Sequence, residues 1–130
     1  MKSILLLVMV FFIGMSPLAA HAGHTVPDGS IDRLHQDAHN LNDRVQNSWL
    51  NYRVKRAVYT FTTEVSAFYK CVSSGPHWDH TLPETCEHHF PRVWQTWYSV
   101  DRSLYDTSFD FPQVYNTYLR VRQDLQVLPH

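Results

Sequence analysis

Four histidines, His77, His80, His88 and His89, fall within thirteen residues of one another. The H-x-x-H and H-H spacings are both short-range ligand pairs, and Glu84 and Glu87 stand between them. Imidazole and carboxylate suit zinc or copper, so the stretch 77–89 is a candidate metal site for one of those ions. The plainer reading is a loop that carries polar side chains because loops do. A second pair, His35 and His39, is four residues apart with Asp32 one turn earlier, so the three share a helical face. The spacing lacks the intervening Glu of a metalloprotease helix, and His39 falls away from the apolar seam. The expectation for this pair is two solvated side chains. A chain beginning at Gly23-His24 would also chelate copper weakly through its amine and imidazole, and one beginning at His21 would resemble a copper brace.

Other chemistry is thinly marked. There is no G-x-S-x-G elbow, Walker loop, dinucleotide fingerprint or C-x-x-C-H haem attachment. The carboxylates are scattered, with no motif that pairs two of them. Trp94, Trp97, Tyr98, Tyr105, Tyr115 and Tyr118 concentrate in the last third of the chain. Trp97 and Tyr118 occupy apolar seam positions. Trp94, Tyr98, Tyr105 and Tyr115 lie beside them, as a widened core face or as an exposed aromatic surface of the kind used in partner contacts. Arg53, Lys55 and Arg56 form a small basic cluster, and Arg120 and Arg122 another, each read as a solvated face that an anionic surface could use.

Compartment follows from the first residues. Lys2, an apolar run from Ile4 to Ile13, the breakers Gly14, Ser16 and Pro17, and Ala20-His21-Ala22 have the order of a cleavable secretory signal. The run is shorter than the about 20 residues a spanning helix needs. The expected division is a signal peptide over 1–22 and one domain over 23–130, with no transmembrane segment after signal removal. Export brings Cys71 and Cys86 into an oxidising environment, where a lone pair forms a disulfide. The formal net charge of −1 provides no basic excess for phosphate neutralisation, so nucleic acid is not an expected partner. The aromatic load argues against disorder.

These groups must be positioned by helices. Ile31, Leu34, Ala38, Leu41, Val45 and Ser48 step by three and four, with Asp28 or Ser30 as a cap. The phase then slips over 46–51, where Asn47, Ser48 and Asn51 suit a turn better than a bend. Leu50, Val54, Ala57, Phe61, Val65, Phe68 and Val72 form the second seam, ended by Gly75-Pro76. Thr81 and Glu84 have capping-box spacing for a short helix carrying Cys86, which Pro91 stops or kinks. Val93, Trp97, Val100 and Leu104 make a third seam, closing near Asp106. Asp110 and Gln113 are a second box, opening a fourth seam of Val114, Tyr118, Val121, Leu125 and Leu128. No run alternates with period two, so no sheet is expected.

The fold class is therefore all-α: a small antiparallel bundle of four helices, or three if the first two are one bent helix, with one disulfide. The functional expectation is an exported periplasmic or extracellular protein, a non-enzymatic interaction or structural module. Its partner would be another extracytoplasmic protein or a small ligand. Metal binding through the 77–89 region is the alternative, and a small hydrolase ranks third.

Overall fold

The computed structural model describes residues 24–27, 29–74, 81–105 and 111–129. Four helices dominate: α1 (Ser30–Gln46), α2 (Tyr52–Ser73), α3 (His89–Leu104) and α4 (Pro112–Asp124). A 3-10 turn, Glu84–Cys86, precedes α3, and another, Leu125–Val127, follows α4. Neighbouring helices run antiparallel. Thr62 on α2 bonds to Ala38 while Gln46, further along α1, reaches back to Lys55. Phe61 meets Trp97 while Phe68 meets Phe90, so numbers rise on α2 as they fall on α3. Trp97 stacks on Tyr118, and Trp94 reaches Pro129. Arg44 on α1 reaches Gln113 at the start of α4, which closes the ring of four.

The core is the set of seams. Ile31, Leu34, Ala38, Leu41 and Val45 are buried on α1, and Val54, Phe61, Val65, Phe68 and Val72 on α2. Val93, Trp97, Val100 and Leu104 are buried on α3, and Val114, Tyr118 and Val121 on α4, continued by Leu125 and Leu128. Each fully buried Leu, Val or Phe contributes roughly 1.5–3 kcal/mol relative to exposure. Two seams shift slightly. Val58 is buried where Ala57 was expected, because the larger side chain takes the inward position. Phe90 and Trp94 join the α3 face as buried residues.

The phase slip is a turn. Asn51 is the N-cap of α2 and its side chain accepts from the Val54 amide at 3.0 Å. Before it, the Ser48 hydroxyl donates to the Val45 carbonyl at 2.6 Å and Asn47 donates to the Asp43 carbonyl at 2.8 Å. Polar side chains thus add a second donor to carbonyls that the Asn47 and Ser48 amides already reach.

Several local expectations change. The N-cap of α1 is Gly29 at φ 74°, a left-handed conformation that glycine adopts without steric cost. Ser30 lies inside the helix and its hydroxyl donates to the Pro27 carbonyl at 2.7 Å; Asp28 is outside the described residues. Pro91 neither stops nor kinks a helix. It is the third residue of α3, within the first turn, where amides have no intrahelical acceptor and a missing N–H costs nothing. The cap position of the Glu84–Cys86 turn is Pro83 rather than Thr81, and Pro83 makes no side-chain cap bond. Gln113 binds Arg44 instead of closing a box, and Asp110 is outside the described residues. One two-residue antiparallel pairing exists, His24–Thr25 with Thr81–Leu82, where no sheet was expected. A ladder that short is below the length at which alternation can be read from sequence.

Cys71 and Cys86 are joined, with their Cα atoms 5.8 Å apart. The bond ties the last turn of α2 to the 3-10 turn before α3. No helix among the described residues is long and apolar enough to cross a membrane.

Candidate functional site

The helical phase that buries Val54, Val58 and Phe61 sets Arg53, Arg56 and Thr60 along one flank of α2. On α3 the phase that buries Val93, Trp97 and Val100 sets Thr96, Ser99 and Arg102 facing them. Together with Tyr52 they line a groove of about 540 Å³ between the two helices. No carboxylate is among its described lining residues. The Thr96 hydroxyl donates to the Arg92 carbonyl at 2.8 Å. Three arginines, each with a planar fork of donors, and several hydroxyl residues therefore line one groove on a chain whose formal net charge is −1.

A larger open groove of about 650 Å³ lies between the α1–α2 turn and the start of α4. Trp49 stands on its rim, 96 % exposed, with Asp43, Arg44, Phe111 and Gln113 along its walls. Because Arg44 is already engaged by Gln113, this groove offers an aromatic plate more than a charge.

At the other end of α1, Asp37 faces Asp124 of α4 in a cavity of about 420 Å³ that also holds Arg33 and Arg120. Asp124 is buried, and one carboxyl oxygen, Oδ2, has no hydrogen-bond partner among the described residues. Burial pushes its carboxyl up to about 8; the hydrogen bond and charge of Asp37 push the same way, against Arg33 and Arg120. The upward direction favours a shared proton between the two carboxyl groups, which lets them occupy one space. Tyr118, in the core between α3 and α4, donates its hydroxyl to Asp101, and burial with that bond raises the phenol to about 12.

The histidines divide into two places. His35 and His39 on α1 are brought together, their Nε2 atoms 3.1 Å apart, with the Ser66 hydroxyl 3.0 Å from His39 Nε2. His35 stacks on Tyr69. Burial holds the His35 imidazole below its ordinary value, the His39 ring adds to that, and Asp32 opposes it. These are more than two independent solvated rings, because α2 supplies partners that the α1 sequence does not reveal. In the 77–89 region, His77 and His80 are outside the described residues. His88 Nδ1 bonds to the Thr85 carbonyl at 2.8 Å. His89 packs 4.1 Å from His88, ring centre to ring centre, and its Nδ1 is buried without a partner among the described residues. Burial, then the His88 ring, lowers the His89 imidazole; Glu64 raises it and Arg92 lowers it further. Among the described residues no group of three or more His, Cys, Asp or Glu side chains is poised around one point.

The four aromatic positions separate as well. Trp94 belongs to the core, its indole N–H donating to the Pro129 carbonyl at 2.7 Å. Tyr115 is half-buried beside Tyr118. Tyr98 and Tyr105 are exposed on α3, two turns apart. Sequence reasoning missed Trp49 and the Asp37–Asp124 pair. For Asp124 there was a signal, since a carboxylate between Val121 and Leu125 lies on a buried stripe; for Trp49 there was none.

No protein-family model, no curated protein and no solved structure matches the chain.

Proposed function

We propose that this chain is an exported, non-enzymatic binding module of the periplasm or extracellular space, and that its ligand is a small anion-bearing molecule held between α2 and α3. The observation that carries the reading is the convergence of Arg53, Arg56 and Arg102 on one groove whose described lining has no carboxylate. Guanidinium forks pair bidentately with phosphate, sulfate or carboxylate, and the hydroxyls of Thr60, Thr96 and Ser99 suit the remaining acceptor oxygens. The groove's size is that of a small-molecule site. Tyr52, exposed at its mouth, adds a face on which a ring can stack. Proton-transfer catalysis needs a group titrating near the working pH. The described lining holds no histidine or carboxylate, which supports binding over proton-transfer chemistry at this place. The secretory-type leader sequence and the Cys71–Cys86 disulfide support an oxidising compartment.

Calorimetric titration at low ionic strength with inorganic phosphate, pyrophosphate and sulfate tests it. At least one of these should bind, more weakly as salt rises. Arg56→Ala and Arg102→Ala should each weaken binding by at least about tenfold, the scale of one charge-assisted bond. Arg122→Ala, outside the groove, should leave it unchanged. Absence of binding for all three anions, or equal losses in all three variants, would rule the reading out.

A further inference from the structure

The flank of α2 opposite the arginine groove faces α1, and there the two histidines meet. Residues four apart on a helix share a face, but a shared face alone leaves imidazoles free to point anywhere. Here both rings are aimed. Their Nε2 atoms are 3.1 Å apart and the rings stand at 82° to each other. Two nitrogens about 2.0–2.1 Å from a tetrahedral ion stand about 3.3–3.4 Å apart, so the rings need to open by only a few tenths of an ångström to admit one.

The support comes from the neighbouring helix. Tyr69 lies flat on His35, ring centres 4.1 Å apart and planes 2° from parallel, so the ring cannot swing without losing its stack. The Ser66 hydroxyl lies 3.0 Å from the same His39 Nε2, a contact that an entering ion would take over. The Tyr69 stack, which leaves the ligating nitrogen untouched, reduces the ordering cost of binding. Asp32, one turn before His35, adds negative charge on the same face and so attracts a cation without being a ligand.

We propose that His35 and His39 form a two-imidazole site for a borderline divalent transition-metal ion, the class of copper, nickel and zinc. On entry the ion replaces the hydrogen bond between the two Nε2 atoms. Water fills the remaining positions, and the Ser66 hydroxyl is placed to hydrogen-bond one such water. Copper binds most tightly in the usual order for nitrogen sites. Both ligands belong to α1, so the ion clamps one turn of that helix. The site is separate from His88 and His89 at the start of α3 and does not depend on the anion groove.

Zinc titration of the exported chain by calorimetry is the direct test, because a terminal amine next to a histidine competes for copper. One zinc equivalent should bind at neutral pH. His35→Ala and His39→Ala should each weaken it by at least about tenfold, while a His88→Ala/His89→Ala variant keeps full affinity. On the unaltered protein, zinc should move the imidazole nitrogen resonances of His35 and His39, and those shifts do not depend on any variant folding. No zinc binding, or binding that survives the paired His35→Ala/His39→Ala change with the His35 and His39 resonances unmoved, overturns the proposal.

Discussion

Asp124 shows how a single side chain sets a pH dependence. Its carboxyl is raised to about 8 in the folded protein, by burial first and by Asp37 second, against an ordinary value of 3.8. The folded state therefore holds a proton that the unfolded chain has released across the interval between those values. Its contribution to stability is complete below about pH 4, falls as pH rises, and is lost above about pH 8. Asn mimics the protonated carboxyl and cannot ionise. Asp124→Asn should accordingly leave the melting temperature near pH 4 almost unchanged. At pH 9 it should raise stability by about 1 kcal/mol, the scale of relieving an unsatisfied buried group; thermal melts across that range check it. The pairing was illegible in the sequence because Asp37 and Asp124 lie on the first and last helices. Only the closed ring of four brings them together. His35 and His39 were legible as a pair by spacing, but their partners Ser66 and Tyr69 were not.

Among the elements, the helices and their seams were readable because burial imposes a three-and-four rhythm on every one of them. Caps were less so. Asn51 caps α2 through its side chain, whereas Gly29 ends the approach to α1 with a left-handed backbone that no capping side chain marks. Pro91 misled because the same residue breaks a helix interior and suits a helix start; the choice depends on where the helix begins. The disulfide was readable from the cysteine count together with the expectation of export. It closes a loop of sequence separation 15, for which chain entropy gives about 3 kcal/mol. Cys71→Ala should lower unfolding free energy by about that much in urea titrations, and the unaltered protein should lose a similar amount under reductant.

For the whole molecule, the proposed export signal over 1–22 and the Cys71–Cys86 crosslink make a joint prediction. The intact mass of the exported protein should correspond to residues 23–130 and be two hydrogens below the sum for free thiols, which mass spectrometry reads directly. A chain that kept residues 1–22 or both thiols would contradict the export reading. The bundle's architecture was legible from four seams joined by short connections, while the arginine groove was not. Arg53 and Arg56 read as a solvated cluster, and Arg102 stood unremarked, until α2 and α3 were laid antiparallel. That layout also gives the molecule two unlike poles. At one, Cys71–Cys86 and the His24–Thr25 pairing with Thr81–Leu82 fasten the connection between α2 and α3. At the other, where α2 begins and α3 ends, no crosslink joins the described residues, and the arginine-lined walls meet there. The groove end of the helix pair is thus held by packing alone, through buried Val58, Phe61, Trp97 and Leu104, whereas the opposite end is also held covalently.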